Sequence, residues 1–114
     1  AAGSGTPPAF VVLLLGIGED GHIASVFPGV PLDCPDGPVS AVRNSPKPPP
    51  VRLTLTPATI NTASEIWLVA SGAGKAAAVR SASLDGGASG VPAAGVRAAT
   101  RTVWLLDRAA AGPA

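Results

Sequence analysis

The stretch FVVLLLGIGEDGH, residues 10–22, decides the fold. Its first six residues are bulky and apolar without alternation, which is typical of a strand buried on both faces of a parallel sheet. The glycines at positions 16, 18 and 21 then indicate a tight loop at the carboxyl end of that strand. Open α/β sheets bind their ligands at this end, so the loop is the first candidate for a functional site.

The rest of the chain alternates apolar strands with helices. Further strands are predicted over residues 39–43, 52–55, 66–70 and 102–106. Helical segments are predicted as one turn at 22–27, a helix from Thr56-Pro57 to about residue 64, a helix over 75–80, a short helix within 91–99 and a last one capped by Asp107. Residues 44–50 read as a rigid proline-rich connector and residues 84–90 as a flexible loop. This order predicts an α/β fold, part of a doubly wound, mostly parallel sheet with helices on both faces.

Composition excludes several classes of partner. The chain has 114 residues, one domain's worth, and only 13% are charged, against about 25% in typical globular domains. The net charge of +1 gives no electrostatic basis for binding nucleic acid or an anionic membrane surface. The longest apolar run is far shorter than the roughly 20 residues of a membrane span. Cys34 is the single cysteine and forms no internal disulfide, so we expect a soluble, cytoplasmic protein.

The first loop formally contains the dinucleotide-binding pattern G-x-G-x-x-G. Glu19 and Asp20 would, however, face a pyrophosphate where only main-chain donors are wanted, and like charges repel. The acidic residue expected at the end of the next strand is also missing, because residues 33–38 form a loop ahead of that strand. We therefore predict no nucleotide cofactor at this loop.

The same loop brings a carboxylate close to the only histidine of the chain, His22. Histidine is the side chain that ordinarily exchanges protons around neutral pH, so His22 is a candidate general base or acid. Asp20, two residues earlier, is placed to orient its ring and to stabilise the imidazolium. Taken alone, such a pair is more typical of a surface histidine in a glycine turn.

A second glycine-rich loop, residues 71–75, separates the predicted strand 66–70 from the next helix. It is not a P-loop, because Ala76 stands where Ser or Thr should follow the lysine. Main-chain N–H groups at a helix start, with the ammonium of Lys75, nevertheless form an anion site, with Gly72 among the predicted contacts. The alternative is a solvated lysine, although the helix dipole disfavours a cation there.

Arg52 is a third candidate, since it follows the rigid proline run and can hold a phosphate or a sugar hydroxyl. A structural arginine is the equally plausible alternative. Lys47 and Arg43 are interpreted as solvated surface cations. Trp67 and Trp104 lie in apolar strands and are predicted to belong to the core.

Residues 16–29, GIGEDGHIASVFPG, closely resemble the signature of the 6-phosphogluconolactonases. Segments 46–49, 52–56, 72–76 and 104–107 fit the same family in the same order. The resemblance covers nearly the whole chain but only the carboxyl-terminal half of such an enzyme. It implies the Rossmann-like fold of the glucosamine-6-phosphate deaminases.

The resemblance also implies an activity, the hydrolysis of 6-phospho-D-glucono-1,5-lactone to 6-phospho-D-gluconate in the oxidative pentose phosphate pathway, without metal or organic cofactor. His22 would be the general base for the attacking water, and Asp20 would orient it. Lys75 would bind the phosphate of the small-molecule substrate. Main-chain N–H groups of the loop, at Gly18 and Gly21, are the candidates for contacts to the substrate and its developing oxyanion.

Two alternatives stay open. The related glucosamine-6-phosphate deaminases carry a glutamate five residues after the histidine, which completes an Asp–His–Glu set. This chain has Phe27 at that position, so one residue of the set needed for deamination is absent. A sugar-phosphate sensor of the same fold would keep the Lys75 site but would not need His22. Because the family's amino-terminal half is missing, we also expect this chain alone to fold poorly and to show little or no turnover. The pattern predicts no particular oligomeric state.

Overall fold

A computed structural model of the chain describes residues 9–84 and 90–112. Its strands are β1 (Val12–Leu15), β2 (Val39–Val42), β3 (Arg52–Leu55), β4 (Glu65–Ala70) and β5 (Arg101–Leu106). Its α-helices are α1 (Pro57–Ile60), α2 (Ala76–Leu84) and α3 (Arg108–Ala111), and short 3₁₀ helices span Ala73–Lys75 and Pro92–Gly95. The predicted loop at residues 84–90 lies largely outside the described residues. In the part of the chain that is described, no helix is long and apolar enough to cross a membrane.

The main sheet is parallel and has the strand order β1-β4-β5. Leu14 lies opposite Trp67 across the first pair, and Leu68 lies opposite Trp104 across the second. Strands β2 and β3 form a separate antiparallel pair. The predicted α/β class and parallel sheet are therefore confirmed, and the carboxyl ends of β1, β4 and β5 meet at one edge.

Only one face of the main sheet is covered in the described residues. On that face Leu15, Ile66 and Leu68 pack against α2, the 3₁₀ helix Pro92–Gly95 and Ala110 of α3. On the opposite face the side chains are exposed, Leu14 to 62% and Val69 to 44%. The family's α/β fold is borne out, while in the described residues the buried core lies on one face of the sheet, and the prediction that the first strand is buried on both sides is wrong there because Leu14 is exposed.

The two tryptophans differ in their surroundings. Trp104 packs against the core and is partly buried, as predicted. Trp67 lies on the open face, since it alternates with the buried Ile66 and Leu68, and its Nε1–H donates to Glu65 at 2.9 Å. The prediction that Trp67 is a core residue is therefore wrong in the described part of the chain.

Capping residues set where the short helices begin. Thr56 accepts a hydrogen bond from the N–H of Thr59 and caps α1, and Asp107 accepts one from Ala110 and caps α3, as predicted. Helix α1 ends at Ile60 rather than near residue 64. The side chain of Asn61 there donates to the carbonyl of Gly95 and accepts from the N–H of Arg97. These two bonds connect the end of α1 to the segment after the 3₁₀ helix Pro92–Gly95.

Candidate active site

The two glycine-rich loops meet at the carboxyl edge of the parallel sheet. The first loop, residues 16–22, leaves β1, and the second, residues 71–75, leaves β4. The ammonium of Lys75 crosses between them and donates to the carbonyl of Ile17. The two loops are thus in direct contact at this edge, where open α/β sheets bind their ligands.

The first loop is closed by its own hydrogen bonds. The N–H of Gly18 donates to His22 O at 2.9 Å, and the N–H of Gly21 donates to Gly18 O at 3.0 Å. Gly21 has a φ of +86°, a left-handed conformation that favours glycine. These two N–H groups are used within the loop, so their predicted contacts with the substrate oxyanion stay a prediction without support from the geometry.

Gly18 is required for a different reason, the space it leaves. A Cβ at this position would lie 2.0 Å from His22 Nδ1 and 2.7 Å from Asp20 Oδ1. No side chain fits there without displacing both groups. The loop sequence therefore creates the room in which the Asp20–His22 pair forms.

The side chains of Asp20 and His22 are in direct contact. Asp20 Oδ1 lies 2.6 Å from His22 Nδ1 and also accepts the main-chain N–H of His22 at 3.0 Å. Burial alone would raise the pKa of the Asp20 carboxyl, but the hydrogen bonds from His22 outweigh it and hold that pKa below its ordinary value. An ionised carboxylate only accepts hydrogen bonds, so Nδ1 carries the proton and Nε2 of the neutral ring is the basic nitrogen.

The other side of the His22 ring is supported by an aromatic contact. The ring of Phe27, which is buried, lies 4.5 Å from it, centroid to centroid, at an angle of 32°. The guanidinium of Arg52 lies 5.4 Å from the centroid of Phe27, within range of a cation–π contact. His22 is therefore fixed by a carboxylate and by an aromatic ring.

Residues 22–27 form a tight reversal rather than the predicted helical turn. Ile23 and Val26 exchange two main-chain hydrogen bonds, and Ala24 between them has a φ of +48°. The N–H of Ser25 donates to Thr54 Oγ1 at 3.1 Å, which ties this reversal to β3. The prediction of a helical turn is wrong because Ala24 takes the left-handed conformation that closes the bridge.

A cavity of about 340 Å³ opens beside His22. It is lined by residues 16–18 and by His22, Ala24, Lys47 and Lys75. This volume is in the range of small-molecule sites. A separate cavity of about 320 Å³ between Ile23, Ile60 and Val91 has an apolar lining without a titratable side chain, so the chemistry belongs to the first cavity.

The predicted site residues fall into two groups. Gly18, His22 and Lys75 line the cavity, while Asp20 and Gly21 shape the loop behind it. The other two predicted residues, Gly72 and Arg52, neither line the cavity nor belong to this loop, and each has other partners.

Gly72 donates its N–H to both carboxylate oxygens of Asp107, at 3.1 Å each. Arg52 donates to the carbonyls of residues 47, 48 and 49. Contacts of these two residues with a phosphate stay predictions. Lys47 is exposed, as its interpretation as a surface cation predicts, and it also lines the cavity, which the sequence did not indicate. The available signal was its place before three prolines, which restrict the backbone conformation of the preceding residue.

Comparison with known proteins identifies the family. The family model described as glucosamine-6-phosphate isomerases/6-phosphogluconolactonase matches residues 1–104. The chain belongs to this family. It is 50% identical over 105 residues to a 6-phosphogluconolactonase of Streptomyces coelicolor, covering 91% of this chain and 40% of that protein. It is 49% identical over 113 residues to the 6-phosphogluconolactonase of Mycobacterium tuberculosis, covering 97% of this chain and 46% of that protein.

Solved structures of the family agree with the fold. The 6-phosphogluconolactonase of Trypanosoma brucei superposes with a TM-score of 0.78 at 35% identity, over 97% of this chain and 45% of that one. A monomeric glucosamine-6-phosphate deaminase superposes with a TM-score of 0.70 at 31% identity, over 89% of this chain and 46% of that one. The chain thus spans less than half the length of these family members.

Proposed function

We propose that this chain supplies the catalytic base and a phosphate contact to a 6-phosphogluconolactonase, which hydrolyses 6-phospho-D-glucono-1,5-lactone to 6-phospho-D-gluconate. The observation that carries the proposal is the 2.6 Å contact between Asp20 and His22 beside a cavity that also holds Lys75. The names of the relatives above agree with it. The reaction belongs to the oxidative pentose phosphate pathway, and we place it in the cytoplasm.

In this mechanism Nε2 of His22 removes a proton from water as the water oxygen bonds to the lactone carbonyl carbon. The carbonyl oxygen takes the negative charge of the tetrahedral intermediate. The intermediate collapses, the bond from the carbonyl carbon to the ring oxygen breaks, and the imidazolium returns the proton to that oxygen. The product is an open-chain acid, which ionises to the carboxylate, and a free hydroxyl.

Asp20 acts on this sequence through the histidine. Its carboxylate keeps the proton of the neutral ring on Nδ1, which leaves Nε2 free to accept a proton. When the ring becomes positively charged, the same carboxylate stabilises it. Phe27 holds the ring from the other side, so the orientation of the base does not depend on the substrate.

Deamination of glucosamine 6-phosphate is the second activity to weigh, because one of the structural neighbours is a glucosamine-6-phosphate deaminase. Here residue 27 is a buried phenylalanine stacked on His22, so no carboxylate stands at that place. We therefore favour lactone hydrolysis over deamination for this chain.

The experiment uses the longest in-frame product that contains this segment. Loss of 6-phosphogluconolactone is followed above its spontaneous hydrolysis for the wild type and for His22→Ala. We expect fast turnover that falls by about 10²- to 10⁴-fold in the variant, the usual contribution of a general base. Turnover that survives the substitution would remove His22 as the base. A folded product without turnover that still binds 6-phosphogluconate would favour the sensor.

The isolated 114-residue chain provides a useful second sample. Its sheet has one apolar face open, with Leu14 and Val69 exposed, so we expect non-cooperative unfolding and little turnover. Cooperative unfolding with full turnover by this chain would contradict that expectation.

A further inference from the structure

Lys47 reaches the cavity from a different part of the chain than the other site residues. It lies in the proline-rich segment between β2 and β3, whereas His22 and Lys75 follow strands of the main sheet. In the described residues, all ion pairs involve cations other than Lys47 and Lys75. Two unpaired ammonium groups therefore border one small cavity.

The main chain of Lys47 is fixed, although its side chain is exposed. Ser45 Oγ donates to Lys47 O at 2.7 Å and accepts the N–H of Lys47 at 3.2 Å. Arg52 Nη2 donates to the same carbonyl at 3.1 Å. These contacts fix the main chain of Lys47 and so the point from which its side chain extends.

The single side chain of Arg52 supports the main chain of the whole segment 47–49. It also donates to Pro48 O at 2.9 Å and to Pro49 O at 3.1 Å, so one guanidinium holds three successive carbonyls. Its contact with Phe27 joins the proline segment to the ring that supports His22. These contacts thus fix the main chain of Lys47 relative to His22.

The charge of the cavity indicates the class of ligand. In the described residues two carboxylates lie near it: that of Asp20 is engaged by His22, and that of Glu19 lies against Gly74 of the second loop. Lys75 uses one of its three donors on Ile17 O, and within the described residues the ammonium of Lys47 has no hydrogen-bond partner. Two like charges at one cavity repel each other, and an anion placed between them relieves that repulsion. A phosphate dianion offers the charge and the acceptor oxygens that two ammonium groups require.

We propose that Lys47 is a phosphate-binding residue of this site, which holds the phosphate of a sugar phosphate together with Lys75. The identity of the sugar rests on the function proposed above, whereas the preference for a phosphate rests on the cavity alone. Arg52 is the positioning residue for Lys47.

Kinetics of the longer product test this assignment. For Lys47→Ala we expect KM for 6-phosphogluconolactone to rise by about 10- to 100-fold, the effect of losing one hydrogen bond to a charged group, with kcat changed far less. Lys47→Arg keeps the charge and should recover part of the loss. Arg97→Ala, which removes an exposed cation away from the cavity, is the matched control and should leave KM unchanged.

A substrate without phosphate distinguishes a role of Lys47 in phosphate binding from a role at the lactone carbonyl. Glucono-1,5-lactone should be hydrolysed equally by the wild type and by Lys47→Ala. An equal loss on both lactones, or a fall in kcat with an unchanged KM, would overturn the phosphate assignment. The melting temperature of Lys47→Ala should match that of the wild type, because the hydrogen bonds of this segment use the main chain of Lys47.

Direct binding keeps this test independent of turnover. Titration calorimetry of His22→Ala and of His22→Ala/Lys47→Ala with inorganic phosphate and with 6-phosphogluconate should show weaker binding of both ligands to the double variant. Equal affinities would overturn the proposal. If the longer product lacks lactonase activity but its phosphate affinity depends on Lys47, the proposed function fails and the Lys47 site stands.

Discussion

The two glycine-rich loops at the sheet edge are held in different ways. Residues 16–22 close on themselves through the hydrogen bonds of Gly18 and Gly21, and the loop carries both members of the Asp20–His22 pair. Residues 71–75 depend on a partner from the end of β5, since the N–H of Gly72 is bound by Asp107.

This difference matches the two proposed roles of the loops, proton transfer in the first and phosphate binding in the second. The base sits on a loop whose geometry is set within seven residues, so its pairing with Asp20 is local. Lys75, the proposed phosphate contact, lies on a loop that follows β4 and is held by Asp107 after β5 and by Ile17 after β1. Substitutions in the first loop should therefore act on catalysis, and substitutions around the second should act first on stability.

Gly18→Ala tests the first loop most severely. The added Cβ would lie 2.0 Å from His22 Nδ1, so it must displace the ring or the carboxylate. We expect kcat/KM to fall by about 10²-fold or more, within the range of losing a general base. Gly95→Ala is the control, because its Cβ meets nothing within 4 Å and its φ is not left-handed. Full activity of Gly18→Ala would contradict the described pairing.

Asp20→Asn tests the electrostatic part of the same loop. An amide can still accept one hydrogen bond, but it no longer stabilises a positively charged His22. We expect kcat to fall by roughly 10- to 10³-fold with a smaller change in KM. Steady-state kinetics and a pH profile measure it. A loss confined to KM would instead place Asp20 in substrate binding.

Asp107→Ala tests the second loop. It removes the cap of α3 and the partner of the Gly72 N–H, so we expect the free energy of unfolding to fall by about 1–2 kcal/mol. kcat should stay within a few-fold of wild type. Chemical denaturation of the longer product measures the first quantity, with Asp107→Asn as the control that keeps an acceptor. A large loss of kcat at unchanged stability would refute the separation of tasks.

Acid titration gives the smallest of these effects. The pKa of Asp20 and the pKa of Glu65, which accepts hydrogen bonds from Trp67 and Arg101, both lie below their ordinary values. Their ionised forms therefore favour the folded state at neutral pH, and this contribution is lost as pH falls through the folded-state pKa values, below about pH 4. Melting temperatures between pH 7 and pH 3 should show the loss. Glu65→Gln should make it shallower, and an unchanged slope would contradict the Glu65 contribution.

Local patterns predicted the site better than they predicted its surroundings. The Asp20–His22 pair was predictable because two residues of one tight loop have few ways to lie apart. The three strands of the main sheet were predictable because they carry continuous apolar runs. The open face of the sheet was not, since an apolar run has the same pattern whether or not a second layer covers it. The approach of Lys47 to the cavity was not predictable, because the proline run restricts only its backbone and its distance from His22 depends on contacts between segments.

The hydrogen bonds from Arg52 to three main-chain carbonyls have a consequence for substitutions at position 47. Carbonyl oxygens are common to all residues, so the support of residues 47–49 does not require a particular side chain at position 47. A substitution there changes the group presented to the cavity while its scaffold is retained. On the proposed role of Lys47, a single substitution there alters ligand preference and leaves the hydrogen bonds that hold the segment in place.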